Sequence, residues 1–157
     1  MLEILTLMNK IERVSRKIDP DNFVAVPGIW AELDTDGSIK NITTDTPGAM
    51  NKLVIGNASD NIYESHDVSV GRITTVESFG VRCKVDSEGY AGTVVVGEDL
   101  IVSTKAGQEG KLVGVTNETE AAGDYEVVAR AEEVNTTDGY IIFRTLSPGS
   151  VAVYTAT

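Results

Sequence analysis

Apolar residues recur at helical spacing within the first twenty positions of the chain. These residues are Ile4, Leu7, Ile11, Val14 and Ile18. Their separations of 3, 4, 3 and 4 residues match the a and d positions of a heptad, and basic residues fill much of the opposite face. Asp19-Pro20 ends the pattern, because the residue before a proline disfavours helical backbone. We therefore predict an N-terminal helix or arm over residues 1–20 and a single β-rich domain over residues 21–157.

After residue 21 the pattern changes to short apolar runs that are separated by turn signals. The clearest runs are 29–33, 52–55, 79–85, 93–96, 100–102, 111–115, 125–134 and 140–146. In the run 79–85, Phe79, Val81, Cys83 and Val85 alternate with other residues, which predicts that these four share one face. Turn signals every ~8–12 residues, with no helical windows between the runs, predict a mainly β fold, either an antiparallel barrel or a sandwich.

The predicted N-terminal helix has two interpretations. It packs on the core of its own domain, or it docks on another subunit, which is either a second copy or a larger lattice. A helix this short is marginally stable alone, so some surface must hold it. The candidate partner-binding residues are Ile4, Leu7, Ile11, Arg13, Val14, Arg16, Lys17 and Ile18.

The net charge of −11 is unevenly placed along the chain. Residues 1–20 hold four basic and three acidic residues, whereas the remainder holds nine basic and twenty-one acidic residues. An acidic body repels a phosphate backbone, so we expect no nucleic-acid partner. The same charge keeps a β-rich surface soluble.

Membrane insertion and secretion are not expected from this sequence. No apolar run approaches the ~20 residues that span a bilayer, and the first residues lack the basic start of a signal peptide. Cys83 is the only cysteine, so no internal disulfide can form, which fits a reducing compartment. We predict no membrane partner, synthesis in a cytoplasm, and a core-filling role for Cys83.

Residue types that carry chemistry are sparse and badly spaced for it. His66 is the only histidine, and its neighbours Ser65 and Asp67 do not make a triad, because a triad is assembled in space and not by adjacency. Asp34 to Ser38 is similar to half of a calcium loop, but the surrounding pattern favours a plain hairpin turn. Trp30 is expected in a core or a subunit interface. We expect no catalytic residue, no cofactor and no metal, and therefore not an enzyme.

The stretch from Val94 to Leu146 resembles the small β-rich head decoration, or cement, proteins of tailed bacteriophages. The resemblance rests on the segments 97–102, 110–115, 123–131 and 139–145. It implies a structural virion protein on the capsid exterior, forming a homotrimer that binds the major capsid protein and clamps the assembled shell. The N-terminal segment would then grip the lattice or its trimer mates. The alternatives are a phage tail or baseplate assembly protein, a β-sandwich binding module for carbohydrate or a cell-surface partner, and an enzyme.

Overall fold

The computed structural model describes residues 1–6, 11–18, 26–43, 51–56, 72–76, 79–117, 119–146 and 153–157. These residues contain twelve β-strands and no helix, which confirms the predicted mainly β fold. The strands are β1 (Leu2–Ile4), β2 (Arg13–Lys17), β3 (Trp30–Leu33), β4 (Ile39–Asn41), β5 (Asn51–Gly56), β6 (Arg72–Val76), β7 (Arg82–Asp86), β8 (Asp99–Val102), β9 (Leu112–Gly114), β10 (Gly123–Asn135), β11 (Tyr140–Thr145) and β12 (Val153–Ala156).

The predicted N-terminal helix is wrong, because the segment supplies two strands that belong to different sheets. Strand β1 pairs with β7, placing Ile4 opposite Cys83, and β2 pairs with β6, placing Arg13 opposite Val76. The backbone hydrogen bonds of both strands are therefore made with distant segments and not within a helix. Isoleucines seven residues apart fit a heptad, but they equally fit separate strands that each bury an isoleucine near the strand end. Tertiary pairing decides between the two.

Seven strands form the first sheet, in the order β1-β7-β11-β10-β8-β9, with β12 also paired to β10. All of the pairs are antiparallel. Strand β10 is the longest, and it pairs with β8, β11 and β12 along different parts of its length. Register shifts at Val128 and Glu132 mark β-bulges, which bend the strand and re-aim the side chains beside them.

Five strands form the second sheet, in the order β2-β6-β5-β3-β4. Its edges approach each other at an isolated bridge between Ile18 and Ile39, so this sheet is strongly curled. Neither sheet closes into a barrel within the described ranges. Of the two predicted architectures, the sandwich is therefore the one that forms.

The main hydrophobic core lies between the two sheets. The second sheet contributes Trp30, Leu53 and Val76, and the first contributes Cys83 and Phe143, with other apolar residues of both sheets. Trp30 and Cys83 are thus core residues, as their sequence context predicts. A second cluster, on the other face of the curled sheet, includes Ile18, Ile39 and Ile73.

Glycines allow the two sheets to meet closely at β3. Trp30 N donates to the carbonyl oxygen of Gly110 at 2.8 Å. Gly110 has a φ of +82°, and a Cβ there would lie 2.6 Å from the carbonyl oxygen of Trp30. A Cβ on Gly89 would lie 2.7 Å from Cβ of Val85 in the core and 3.1 Å from the carbonyl oxygen of Gly28, just before β3. No larger residue fits either position without moving backbone or a core side chain.

Most of the predicted strands are confirmed, but two details of the pattern are wrong. Residues 93–96 do not form a strand, and Phe79 does not share the buried face of Val81, Cys83 and Val85. Phe79 is 68% exposed, because Gly80, with a φ of +73°, interrupts the extended backbone between Phe79 and Val81 and ends the alternation. The predicted loop over 57–67, which includes His66, lies outside the described residues.

Candidate functional site

The most distinctive surface feature among the described residues is an apolar loop between Tyr90 and β8. We call residues 93–98 the valine loop. Val94 points into the core, whereas Val95 and Val96 are 50% and 60% exposed. Two neighbouring β-branched residues in water gain nothing from burial within their own subunit, so their position needs an explanation.

A buried carboxylate holds the valine loop in place. Glu98 Oε1 accepts from Val95 N at 2.5 Å, and Oε2 accepts from Thr116 N at 3.3 Å and also from Thr116 Oγ1. The loop is thereby tied to the segment that follows β9. Gly114 makes room for this carboxylate, because a Cβ at that position would overlap it.

Backbone hydrogen bonds attach the same loop to β10. Gly97 N donates to Ala131 O at 2.8 Å, and Ala131 N donates to Glu98 O at 3.0 Å. A turn within the loop is closed by Glu98 N, which donates to Val95 O at 3.2 Å. Gly97 has a φ of +86°, which suits glycine. The exposed valines therefore sit on a rigid base, and a partner that buries them has little loop entropy to overcome.

Three arginines lie in register beside the valine loop, on the outward face of the first sheet. We call Arg130, Arg144 and Arg82 the basic row: Arg130 of β10 pairs with Arg144 of β11, which pairs with Arg82 of β7. The row begins next to the loop, because Arg130 precedes Ala131, to which Gly97 is bonded. Like charges directly opposite each other destabilise a sheet, so the row needs counter-charges.

Two carboxylates supply those counter-charges. Glu132 accepts from Arg144 Nε at 2.6 Å and from Arg82 Nε at 2.7 Å, one bond on each oxygen. Asp99 Oδ1 accepts from Arg130 Nε at 3.0 Å and Nη2 at 2.9 Å. Glu132 occupies the bulge of β10, which is how a single residue reaches arginines on two other strands.

The arginines also change the acidity of Glu132. Partial burial of this carboxyl would raise its pKa, but the hydrogen bonds from Arg144 and Arg82, together with their charges, outweigh burial, and the pKa is lowered. Glu132 therefore remains a carboxylate below its ordinary pKa of 4.5. The counter-charge of the row persists into mildly acidic solution.

Exposed apolar residues lie along the basic row. The valine loop lies beside Arg130, because Gly97 N donates to Ala131 O. In the middle of the row, Gly80 O accepts from Arg144 Nη1 at 3.0 Å, next to the exposed Phe79. Arginine and large apolar side chains on one surface form a combination that is enriched in protein interfaces.

The structure disperses the eight predicted partner-binding residues. Ile11 and Ile18 are buried in two different core clusters, and Ile4 is partly buried against the main core. The other described members all lie on β2; they are Arg13, Val14, Arg16 and Lys17. Of these four, only Lys17 is largely exposed. Leu7 lies outside the described residues. The eight residues thus form no single stripe, and their role in partner binding stays a prediction.

The half calcium loop forms a hairpin turn between β3 and β4. Asp34 accepts from Thr35 N at 2.7 Å and pairs with Lys40 at 3.4 Å, and these contacts lower its pKa. Asp36 accepts from Ser38 N and Oγ, which lowers its pKa as well. Both carboxylates are thus used by the turn itself.

Cys83 is the remaining residue with a reactive side chain among the candidates. Burial raises the pKa of its thiol to about 12, which makes it a poor nucleophile.

Within the described ranges no cluster of three or more His, Cys, Asp or Glu side chains has metal-binding geometry. That part of the chain also contains no helix long and apolar enough to cross a membrane.

Sequence reasoning missed the valine loop because it assigned residues 93–96 to a strand. A signal was nevertheless present. Three consecutive valines directly before a Gly-Glu-Asp turn cannot all face one core, because neighbouring side chains in extended backbone point in opposite directions. At least one valine had to face outward.

Comparisons with known proteins identify no relative of this chain. No protein-family model matches it. No curated protein is significantly similar in sequence, and no solved structure is significantly similar in fold.

Proposed function

We propose that this protein is a structural virion protein that decorates the assembled capsid of a tailed bacteriophage and stabilises the shell. The observation that supports this most directly is the valine loop, in which two neighbouring valines are exposed on a segment held by Glu98 and by backbone hydrogen bonds to β10. Such a projection suits docking on another protein. The resemblance of residues 94–146 to head decoration proteins indicates the class of that partner, the major capsid protein.

The proposed mechanism is mass action on the lattice. A protein that binds only the assembled shell stabilises that shell by the free energy of binding, as any ligand of a folded state does. Many copies on one shell multiply the effect, even when each contact is weak. Val95 and Val96 would fill a recess that exists only where neighbouring capsid subunits meet.

The proposal also changes the role expected of the N-terminal segment. Because residues 2–4 and 13–17 are strands of the two sheets, a coiled coil of N-terminal helices is not the device that would join subunits. We propose that a homotrimer, as the resemblance implies, forms through sheet surfaces. Light scattering on the purified protein measures this: a mass near three chains supports the trimer, and a mass of one chain refutes it.

Cosedimentation with capsid shells tests the main proposal. Purified protein is mixed with expanded empty shells of the virus that encodes it, and the bound fraction is measured across a concentration series. We expect saturable binding by the natural protein. The double variant Val95→Ser, Val96→Ser should bind at least tenfold more weakly, since it loses the buried apolar area of two side chains.

Val153→Ser is the matched control, because Val153 is similarly exposed but lies on β12. It should bind like the natural protein. Natural protein that stays in the supernatant at every concentration would refute the decoration proposal. Binding to purified tails or baseplates instead of shells would favour the tail-assembly alternative.

A further inference from the structure

We infer that the basic row is the part of the docking surface that selects the partner, and that it binds carboxylates of an acidic protein surface. This inference rests on the proposed function, because it names the chemistry of the partner at the same site. It is carried by the unused hydrogen-bond donors of the three arginines and by the apolar side chains on both sides of them.

Several guanidinium nitrogens of the basic row make no hydrogen bond to the described part of the protein. Arg82 bonds its counter-charge through Nε alone, Arg144 uses Nε and Nη1, and Arg130 uses Nε and Nη2. Within the described part of the chain, both terminal nitrogens of Arg82, Nη2 of Arg144 and Nη1 of Arg130 therefore donate to no protein atom. In the free protein these exposed donors are open to solvent, and a partner carboxylate can accept two guanidinium N–H groups at once.

The arginines are also accessible to a partner. The exposed fractions of the side chains of Arg130, Arg144 and Arg82 are 55%, 45% and 38%. Their own ion pairs are solvent-exposed, and such pairs contribute little to stability, so a partner carboxylate can share or replace them. The row carries three positive and two negative charges on a protein whose net charge is −11. It is thus a local basic site on an acidic surface.

The neighbouring apolar side chains favour a protein partner over a nucleic acid. Leu5 follows β1 and its N–H donates to Arg82 O at 2.8 Å, so this exposed leucine is in register with the row. Phe79 lies near Arg144, and the valine loop lies near Arg130. A phosphate backbone would gain nothing from these apolar contacts, whereas a protein surface can bury them. An acidic protein surface with apolar recesses fits both the arginines of the basic row and the apolar side chains beside them.

The test compares arginine variants at several salt concentrations in the shell-binding assay. Arg130→Gln and Arg144→Gln remove one charge each from the row, and Lys105→Gln removes the same charge from an exposed lysine outside it. At about 50 mM salt each arginine variant should bind roughly fivefold more weakly than natural protein, and this difference should shrink at about 500 mM salt. The lysine variant should bind like natural protein at both concentrations.

A second arm modifies the partner. Surface carboxylates of the shells are converted to neutral amides with carbodiimide and an amine. Natural protein should lose affinity for the amidated shells, and the arginine variants should lose no more. Circular dichroism of each variant checks that the sheets are intact.

The outcomes separate this inference from the proposed function. If the valine variants bind weakly while the arginine variants bind like natural protein, the inference fails and the decoration proposal stands. If natural protein does not bind shells at all, both fail. If the row is needed for binding duplex DNA in a gel-shift assay and not for binding shells, the partner is a nucleic acid and the inference is wrong.

Discussion

Replacing Glu98 with alanine should both destabilise the fold and release the valine loop. The carboxylate of Glu98 accepts three hydrogen bonds, from Val95 N, Thr116 N and Thr116 Oγ1. Hydrogen bonds to a charged group contribute roughly 1.5–3 kcal/mol each, but Val95 and Thr116 are exposed enough for water to replace part of what is lost. We therefore expect the free energy of unfolding to fall by about 2–4 kcal/mol, which corresponds to about 5–15 °C in Tm for a chain of this size.

Gly114→Ala should produce a similar loss by a different route. The added methyl group would overlap the Glu98 carboxylate and expel it from its hydrogen bonds. In the double variant the carboxylate is absent and the methyl group has room. The two substitutions should therefore not add: the double variant should be no less stable than Glu98→Ala alone, a coupling of roughly 2–4 kcal/mol.

Urea unfolding followed by the fluorescence of Trp30, the only tryptophan, measures these free energies. Hydrogen exchange over residues 93–98 reports the mobility of the loop directly. Glu3→Ala is the control, because it removes the same charge from an exposed pair whose Lys84 nitrogen lies 3.8 Å away, and it should change stability by less than about 0.5 kcal/mol. Additive effects of Glu98→Ala and Gly114→Ala, or unchanged exchange in the loop, would show that Glu98 does not hold it.

Three further predictions concern the rest of the fold. Glu132→Gln should cost about 0.5–1.5 kcal/mol at pH 7. Because the pKa of Glu132 is lowered in the fold, this difference in stability should narrow as the pH falls below 4.5 and through the lowered pKa, and a difference in thermal melts that does not narrow below pH 4.5 contradicts it. Cys83 should react with a thiol reagent at pH 8 no faster than the protein unfolds, since the thiol is buried and its pKa is about 12; labelling within seconds of mixing would mean an open core. Gly110→Ala should lower the free energy of unfolding by about 2–4 kcal/mol in a urea titration, because the added Cβ meets the carbonyl oxygen of Trp30. Gly107→Ala, at a similar φ but with no neighbour within 4 Å, should lower it by only about 1 kcal/mol. Equal losses would mean that the contact with β3 does not cause the loss at Gly110.

Strands of the fold are predictable from the sequence where alternating apolar residues are followed by a clear turn signal. Residues 125–134 and 140–146 alternate and flank a glycine turn, and they form the β10–β11 hairpin with Asn135 opposite Tyr140. The N-terminal segment could not be read in the same way. Its apolar spacing fits a helix, and the strand pairs that replace the helix depend on β7 and β6, which lie far away in the sequence. Local pattern contains no information about such partners.

The candidate site was less predictable than the fold. The exposure of Val95 and Val96 depends on Glu98 reaching Thr116 across the end of β9, and such a contact has no sequence signature. The basic row likewise exists only because the registers of β7, β11 and β10 bring three separate arginines together. The bulge at Glu132 places the carboxylate that neutralises two of these arginines. A single bulged residue changes the apolar pattern of the sequence too little to be recognised there.

The division of the N-terminal segment between both sheets has a consequence for how the molecule folds. The partners of β1 lie roughly eighty positions further along the chain, and those of β2 roughly sixty. During synthesis on a ribosome, β1 must therefore wait until β7 has been made, and β2 until β6 has been made. A topology dominated by such distant pairings closes slowly, on a timescale of about milliseconds to seconds. The second sheet has its full set of strands once β6 has been made, whereas the first sheet, which joins β1 to β7 and to the strands that follow it, is complete only after β12.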